Sequence, residues 1–223
     1  CGTEITHGEV IPAAGHRYRN GACTVCGAKD PRWSGTERPW NDPFRDVRAS
    51  DWFYSGVKFA YQHGLFQGTA ADMFSPDEPM TRAMLVTVLW RMDGKPSAAG
   101  GSSFTDVPRG QWYTEAVAWA AENGVVNGVG GGKFEPDGNV TREQIATILY
   151  RYAGLRGVPT GGRADLGSFP DGGAVSGWAY DALSWANAAG LIAGTREGGV
   201  DYLAPQQNAT RAQVAVILMR YLG

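Results

Sequence analysis

Cysteine is scarce in this chain. The 223 residues hold three, Cys1, Cys23 and Cys26, all within the first 26 positions. From Gly27 onward no disulfide can form, so packing alone must hold that part together. Long apolar runs are missing too, none approaching the roughly 20 residues of a membrane-spanning helix. There is no basic excess: 20 Lys and Arg stand against 22 Asp and Glu, a formal net charge of −2. That removes the usual electrostatic reason to expect a nucleic acid partner. Histidine stops at three, His7, His16 and His63, and none shares a motif with Ser or Cys. The carboxylates fall in no glycosidase pattern, so an enzyme is not the expectation. An initiator methionine and a signal peptide are also absent, which reads as a chain that starts partway through something longer or is already processed.

What is present points to a folded repeat protein. A 43% hydrophobic, 19% charged composition is globular rather than disordered. The phrase VTREQIATILYRYAG at 140–154 returns as ATRAQVAVILMRYLG at 209–223 and, more weakly, as MTRAMLVTVLWRMDG at 80–94. Upstream of each lies the same series of landmarks. Phe44-Arg45-Asp46 answers to Phe104-Thr105-Asp106 and Phe169-Pro170-Asp171, and Trp52, Trp112 and Trp178 follow. Gly64, Gly124 and Gly190 each come 12 residues after their Trp, and Gly68, Gly128 and Gly194 come 4 later. Phe74-Ser75-Pro76-Asp77 matches Phe134-Glu135-Pro136-Asp137, with Leu203-Ala204-Pro205-Gln206 as a degraded third version. Copies one and two are offset by 60 residues throughout, and copy three has longer loops. Self-similarity at this period marks a repeat architecture.

Each copy reads as helix, loop, helix. In copy two the first helix is expected from about Trp112 to Asn123, with Gly124 capping it in a left-handed conformation. The second starts after Thr141, whose hydroxyl can cap the first turn while Gln144 completes a capping box. Thr210 and Gln213 repeat the box, and Met84 removes it after Thr81. Ile145, Ile148, Leu149 and Tyr152 form one apolar stripe, repeated by Leu85, Val88, Leu89, Met92 and by Val214, Ile217, Leu218, Tyr221. One helix pair cannot bury such a stripe. The expectation is a mainly α fold: three helix–loop–helix repeats in a pseudo-threefold unit around a central three-helix bundle, with an open solenoid as the alternative.

Arg82, Arg142 and Arg211 each sit at the first helical position, a placement the helix dipole disfavours by about 0.3–1 kcal/mol. Two readings explain the repetition: an anion held by free amides and the guanidinium together, or an internal ion pair with Asp46, Asp106 or Asp171. Trp52, Trp112 and Trp178 read either as core or as ligand platforms; Trp119 and Trp185 read as core. Gly128 and Gly194 either admit a ligand to the backbone or merely permit positive φ.

The 104–153 segment resembles a complete S-layer homology (SLH) repeat, with the FRDV…MTRAMLVTVLWRM and FPD…ATRAQVAVILMRY segments as partners. The resemblance runs from residue 44 to about 222. It implies three repeats, at 44–94, 104–154 and 169–222, in a three-pronged unit around a central helical bundle. It further implies non-covalent anchoring of surface proteins to the cell wall or S-layer of a Gram-positive bacterium, outside the cell. The implied ligand is a secondary cell wall polysaccharide ending in 4,6-O-pyruvylated N-acetylmannosamine, bound in grooves between repeats. By resemblance, the arginines of Thr81-Arg82, Thr141-Arg142 and Thr210-Arg211 contact the ketal carboxylate. Asp46, Asp106 and Asp171 then bond sugar hydroxyls or orient the groove, and Trp52, Trp112, Trp178, Gly128 and Gly194 shape it. The grooves are expected to be unequal, that of Thr141-Arg142 being the most complete. A helical protein–protein scaffold is the competing reading, and a monomer is expected in either case.

Residues 1–30 resemble the GHxYxNGxCTVCG modules of Firmicutes surface proteins. Cys23 and Cys26 form a CxxCG knuckle, and with Cys1 and His16 they make a candidate structural zinc set, no other cofactor being expected. A Cys23–Cys26 disulfide or free thiols are the other readings. Residues 31–43 read as a linker.

Overall fold

In a computed structural model of the chain, the described residues are 40–223 and one short strand pair near the N-terminus, β1 (Tyr18–Arg19) antiparallel to β2 (Ala22–Cys23). The candidate zinc ligands Cys1, His16 and Cys26, the thiol of Cys23, and residues 31–39 of the expected linker lie outside them. Trp40, at the linker's end, joins the fold: its ring packs against Phe44, Tyr54 and Tyr61, and its indole N–H donates to Tyr54 Oη at 3.0 Å.

The described part is mainly helical. Copy one contributes α1 (Tyr54–Gln62) and α2 (Arg82–Met92), copy two α3 (Thr114–Glu122) and α4 (Arg142–Leu155). Copy three contributes α5 (Tyr180–Ala188) and α6 (Arg211–Leu222), with the hairpin β3 (Thr195–Glu197)–β4 (Val200–Tyr202) in its longer loop. The local signals act as the sequence indicates. Gly124 ends the first helix of copy two at φ +66°, and Val125 N–H closes back five residues to Ala120. The capping boxes of Thr141 with Gln144 and Thr210 with Gln213 are complete, whereas Thr81 accepts from Met84 N–H alone. The apolar stripes are buried in one continuous core, apart from a half-buried Tyr221. Fully burying side chains of this size stabilises by roughly 1.5–3 kcal/mol each.

The pairing of helices crosses the copies. Helix α2 packs against α3, α4 against α5, and α6 against α1, so each second helix rests on the first helix of the next copy and the third copy returns to the first. The main chain just ahead of the second helices follows the same cycle. Met80 N–H donates to Ala209 O at 2.8 Å, Ala209 N–H to Val140 O at 2.9 Å, and Val140 N–H to Met80 O at 2.9 Å. Three backbone bonds thus join the three helix starts in a ring.

Candidate functional site

The conformation of the loop before each second helix is set by the aspartate of the Phe-x-Asp motif. Asp106 accepts from Phe134 N–H and Glu135 N–H, both at 2.8 Å. Asp46 does the same for Phe74 and Ser75, and Asp171 for Leu203 and Ala204. The clamped pair includes a non-glycine residue in the left-handed region in every copy: Ser75 at φ 57°, Glu135 at 57° and Ala204 at 50°. That backbone is costly for residues with a Cβ, and two charge-assisted bonds hold it there. Copy three keeps the conformation although its Pro-Asp pair is degraded. Desolvation raises the Asp106 carboxyl, but the amides of Phe134 and Glu135 outweigh it and hold the group below its ordinary value. These carboxylates therefore orient the loops, with both oxygens committed to main-chain amides.

The clamped loop presents a carbonyl to the arginine of the preceding copy. Arg82 Nε donates to Phe134 O at 2.7 Å, Arg142 Nε to Leu203 O at 2.8 Å, and Arg211 Nε to Phe74 O at 2.9 Å. Guanidinium carbons lie 4.8 Å from the ring centres of Phe134 (Arg82) and Phe74 (Arg211). All three arginines are buried, and burial pushes each guanidinium below the ordinary arginine range. Acids of the next copy act against that: Glu135 and Asp106 on Arg82, Asp171 on Arg142, Glu78 and Asp46 on Arg211. The groups stay charged.

This arrangement bears on two details of the sequence-based readings, the free amides and the close ion pair. The helix-start amides are not free for an anion, because the next copy's loop takes them. Arg82 N–H donates to Gly138 O and Ala83 N–H to Pro136 O, with equivalent pairs from Arg142 and Glu143 and from Arg211 and Ala212. Thr81, Thr141 and Thr210 spend their hydroxyl oxygens on the third amide. Nor, among the described residues, does an ion pair within 4.0 Å join these arginines to Asp46, Asp106 or Asp171. Carbonyls of the neighbouring copy take the Nε–H of each arginine instead.

What remains of each guanidinium differs. Arg211 Nη2 donates to Gln67 O at 2.8 Å, so the copy-one loop occupies it. Arg142 Nη2 is buried with no hydrogen-bond partner. Arg82 opens onto a cavity of about 320 Å³ whose wall combines three copies: Arg82 from α2, Asn127 to Val129 and Gln144, Thr147, Ile148 and Arg151 of copy two, and Trp178 of copy three. Among the described residues this cavity opens at Arg82, whereas the groove expected to be the most complete is that of Thr141-Arg142. Gln144 Oε1 accepts from Thr141 N–H, which fixes the side chain at the groove wall.

Trp52, Trp112 and Trp178 are exposed (66%, 58% and 60%), so they lie at the surface and not in the core; Trp119 and Trp185 are buried. Trp178 lines the groove. Gly128, at φ +71°, also lines it, and a Cβ there would lie 2.5 Å from Lys133 O. Gly194, at φ +102°, is crowded by Tyr202 O, so both glycines answer a backbone requirement. Asp72 of the copy-one loop pairs with Arg45 at 3.3 Å. Sequence reasoning missed Asn127, Thr147 and Arg151. The recurrence of an arginine nine positions after Arg82, Arg142 and Arg211 is the signal for the last of these.

Comparisons with known proteins converge on one family. The sequence model of the S-layer homology domain matches residues 43–83, 103–146 and 168–215. An endoglucanase of Bacillus sp. (strain KSM-635) is 31% identical over 180 residues, 81% of this chain and 19% of that protein. The surface-layer 125 kDa protein of Lysinibacillus sphaericus is 32% identical over 78% of this chain and 14% of its own length. The S-layer protein sap of Bacillus anthracis is 33% identical over 48% of this chain and 13% of its own length. The chain therefore spans under a fifth of these relatives.

Proposed function

The chain belongs to the S-layer homology domain family, and from that premise we propose that it is a non-enzymatic anchoring module that ties a surface protein to the bacterial cell wall by binding a wall polysaccharide. The similar segment occurs in an endoglucanase and in S-layer proteins alike, so it follows location at the cell surface and not one chemistry. Among the described residues no helix is long and apolar enough to cross a membrane, in keeping with attachment from outside.

The observation that carries the reading is the groove at Arg82. It offers a buried cation with an open edge, an exposed indole beside it, and no carboxylate in its wall. A buried guanidinium edge left without a hydrogen-bond partner is expensive, and an anionic ligand supplies one. An indole face suits the apolar side of a sugar ring. A pyruvate ketal on a terminal N-acetylmannosamine carries one carboxylate and one methyl group, which matches a cation set beside an apolar wall. The finer reading is therefore a polysaccharide ending in this pyruvylated sugar, with Arg82 on the carboxylate and Trp178 against the ring. The cycle of helix pairs and the three-bond ring support a pseudo-threefold unit around the second helices. One chain supplies all three walls of the groove, which supports function as a monomer.

Calorimetric titration with pyruvylated wall polysaccharide, and with the same polymer after mild-acid removal of the ketal, tests the reading. Binding to the pyruvylated form alone is expected. Equal binding to both rejects carboxylate recognition. No binding to either by folded protein favours the protein–protein scaffold.

A further inference from the structure

Each second helix carries an arginine near its end: Arg91, Arg151 and Arg220. Two of them do the same structural job. Arg91 Nη1 donates to Leu65 O at 3.1 Å, and Arg220 Nη1 donates to Leu191 O at 3.2 Å. Each ties its helix to the residue that follows the glycine cap of its own copy. The equivalent carbonyl in copy two belongs to Val125, and Arg151 does not bond it. Among the described residues Arg151 makes no hydrogen bond and no ion pair; its half-buried side chain lines the cavity that holds Arg82. Copy two is therefore the one in which this arginine leaves the scaffold, and it does so where the groove is open.

Two guanidinium groups then face one cavity whose remaining wall is Val126, Asn127, Gly128, Val129, Gln144, Thr147, Ile148 and Trp178, with no acid among them. The acids that act on Arg82 are outside this wall: Glu135, and Asp106, whose oxygens are both taken by amides. Like charges sharing a low-dielectric cleft repel each other, and an anion relieves that repulsion at both. One carboxylate satisfies one guanidinium fork. We propose that the groove reads two acidic groups on its ligand: one at Arg82 and a second, a carboxylate or phosphate on the adjoining sugar, at Arg151. This rests on the polysaccharide reading above and narrows its substrate to an oligosaccharide with two neighbouring oxyanions.

Three disaccharides ending in the same pyruvylated N-acetylmannosamine, whose second sugar bears a hydroxyl, a carboxylate or a phosphate, separate the possibilities by calorimetry on the full chain. The wild type is expected to bind one of the two-anion probes about 10- to 100-fold more tightly than the hydroxyl probe, with a steeper salt dependence. Which probe gains identifies the second group. Arg151→Gln is expected to remove most of that gain and to cost the hydroxyl probe far less, while Arg82→Gln weakens all three. A wild type that binds all three probes equally overturns the second-anion assignment and leaves the polysaccharide reading standing. An Arg151→Gln loss that is equal for every probe overturns it too, because Arg151 then reads the ketal or props the wall. If no probe binds, both readings fall. The thermal melting point of Arg151→Gln, expected within a few degrees of wild type, shows that the fold is retained.

Discussion

Arg211 and Arg82 occupy the same place in the same motif, and they differ by one hydrogen bond. At Arg211 the loop of copy one closes over the guanidinium, and Gln67 O takes Nη2. At Arg82 the corresponding residue, Asn127, stands in the wall of an open cavity, and nothing among the described residues takes that edge. A repeated motif is thus scaffold where its donors are satisfied from within and candidate site where they are not. The difference lies in whether a main-chain carbonyl reaches the arginine.

The sharpest test of this contrast is a crossed pair of substitutions. Arg82→Gln is expected to reduce polysaccharide affinity by about 100-fold or more and to cost only about 1–2 kcal/mol of folding stability. Arg211→Gln is expected to do the reverse. It loses its bonds to Phe74 O and Gln67 O and its position over Phe66 and Phe74, about 2–4 kcal/mol by urea denaturation, with affinity within a few-fold of wild type. Similar binding losses in both variants would erase the distinction. Next in size, Trp178→Ala is expected to weaken binding by about tenfold, and Trp112→Ala, equally exposed but outside this groove, by less than twofold. Titration comparing the two settles whether exposure alone makes a platform.

Acid gives a smaller effect. The Asp106 carboxyl lies below its ordinary value of 3.8 when folded, so its ionised form favours the native state. Its contribution is complete above that ordinary value and is lost as pH falls through the lower, folded one. Urea midpoints from pH 7 to 3 are expected to fall less steeply for Asp106→Asn than for wild type. Smallest is the capping contrast. Met84→Gln, which installs in copy one the box the other copies have, is expected to add about 0.5 kcal/mol, with a correspondingly higher midpoint.

Much of this was legible in the sequence because it is local. Thr141 and Gln144, Gly124, and the stripe from Ile145 to Tyr152 act within a turn or two, and residue type decides them. The crossing of partners was not legible. Arg82 bonds a carbonyl 52 positions away, and a carbonyl leaves no trace in the letter at Phe134. The conserved-looking Phe-x-Asp motif suggested a partner for the arginine, whereas Asp106 acts one step removed, by shaping the loop that offers the carbonyl. Arg151 was hidden for a related reason. Its spacing is the same as that of Arg91 and Arg220, and its release from the scaffold depends on a bond not made. The tryptophans were ambiguous because apolar residues beside a helix serve core and surface equally.

The ring formed by Met80, Val140 and Ala209 bears on how many copies such a unit can hold. An open stack grows by adding a copy at either end, and each end needs a polar cap. Here the donor of each copy is already matched to an acceptor, and the last helix lies on the first. A fourth copy would find the three ring amides taken and α1 already paired with α6, and a chain cut after copy two would leave α1 without that partner. Until the last fifteen residues are in place, α1 lacks its helix partner, so the three copies are expected to unfold as one cooperative body although they are written as three separate phrases.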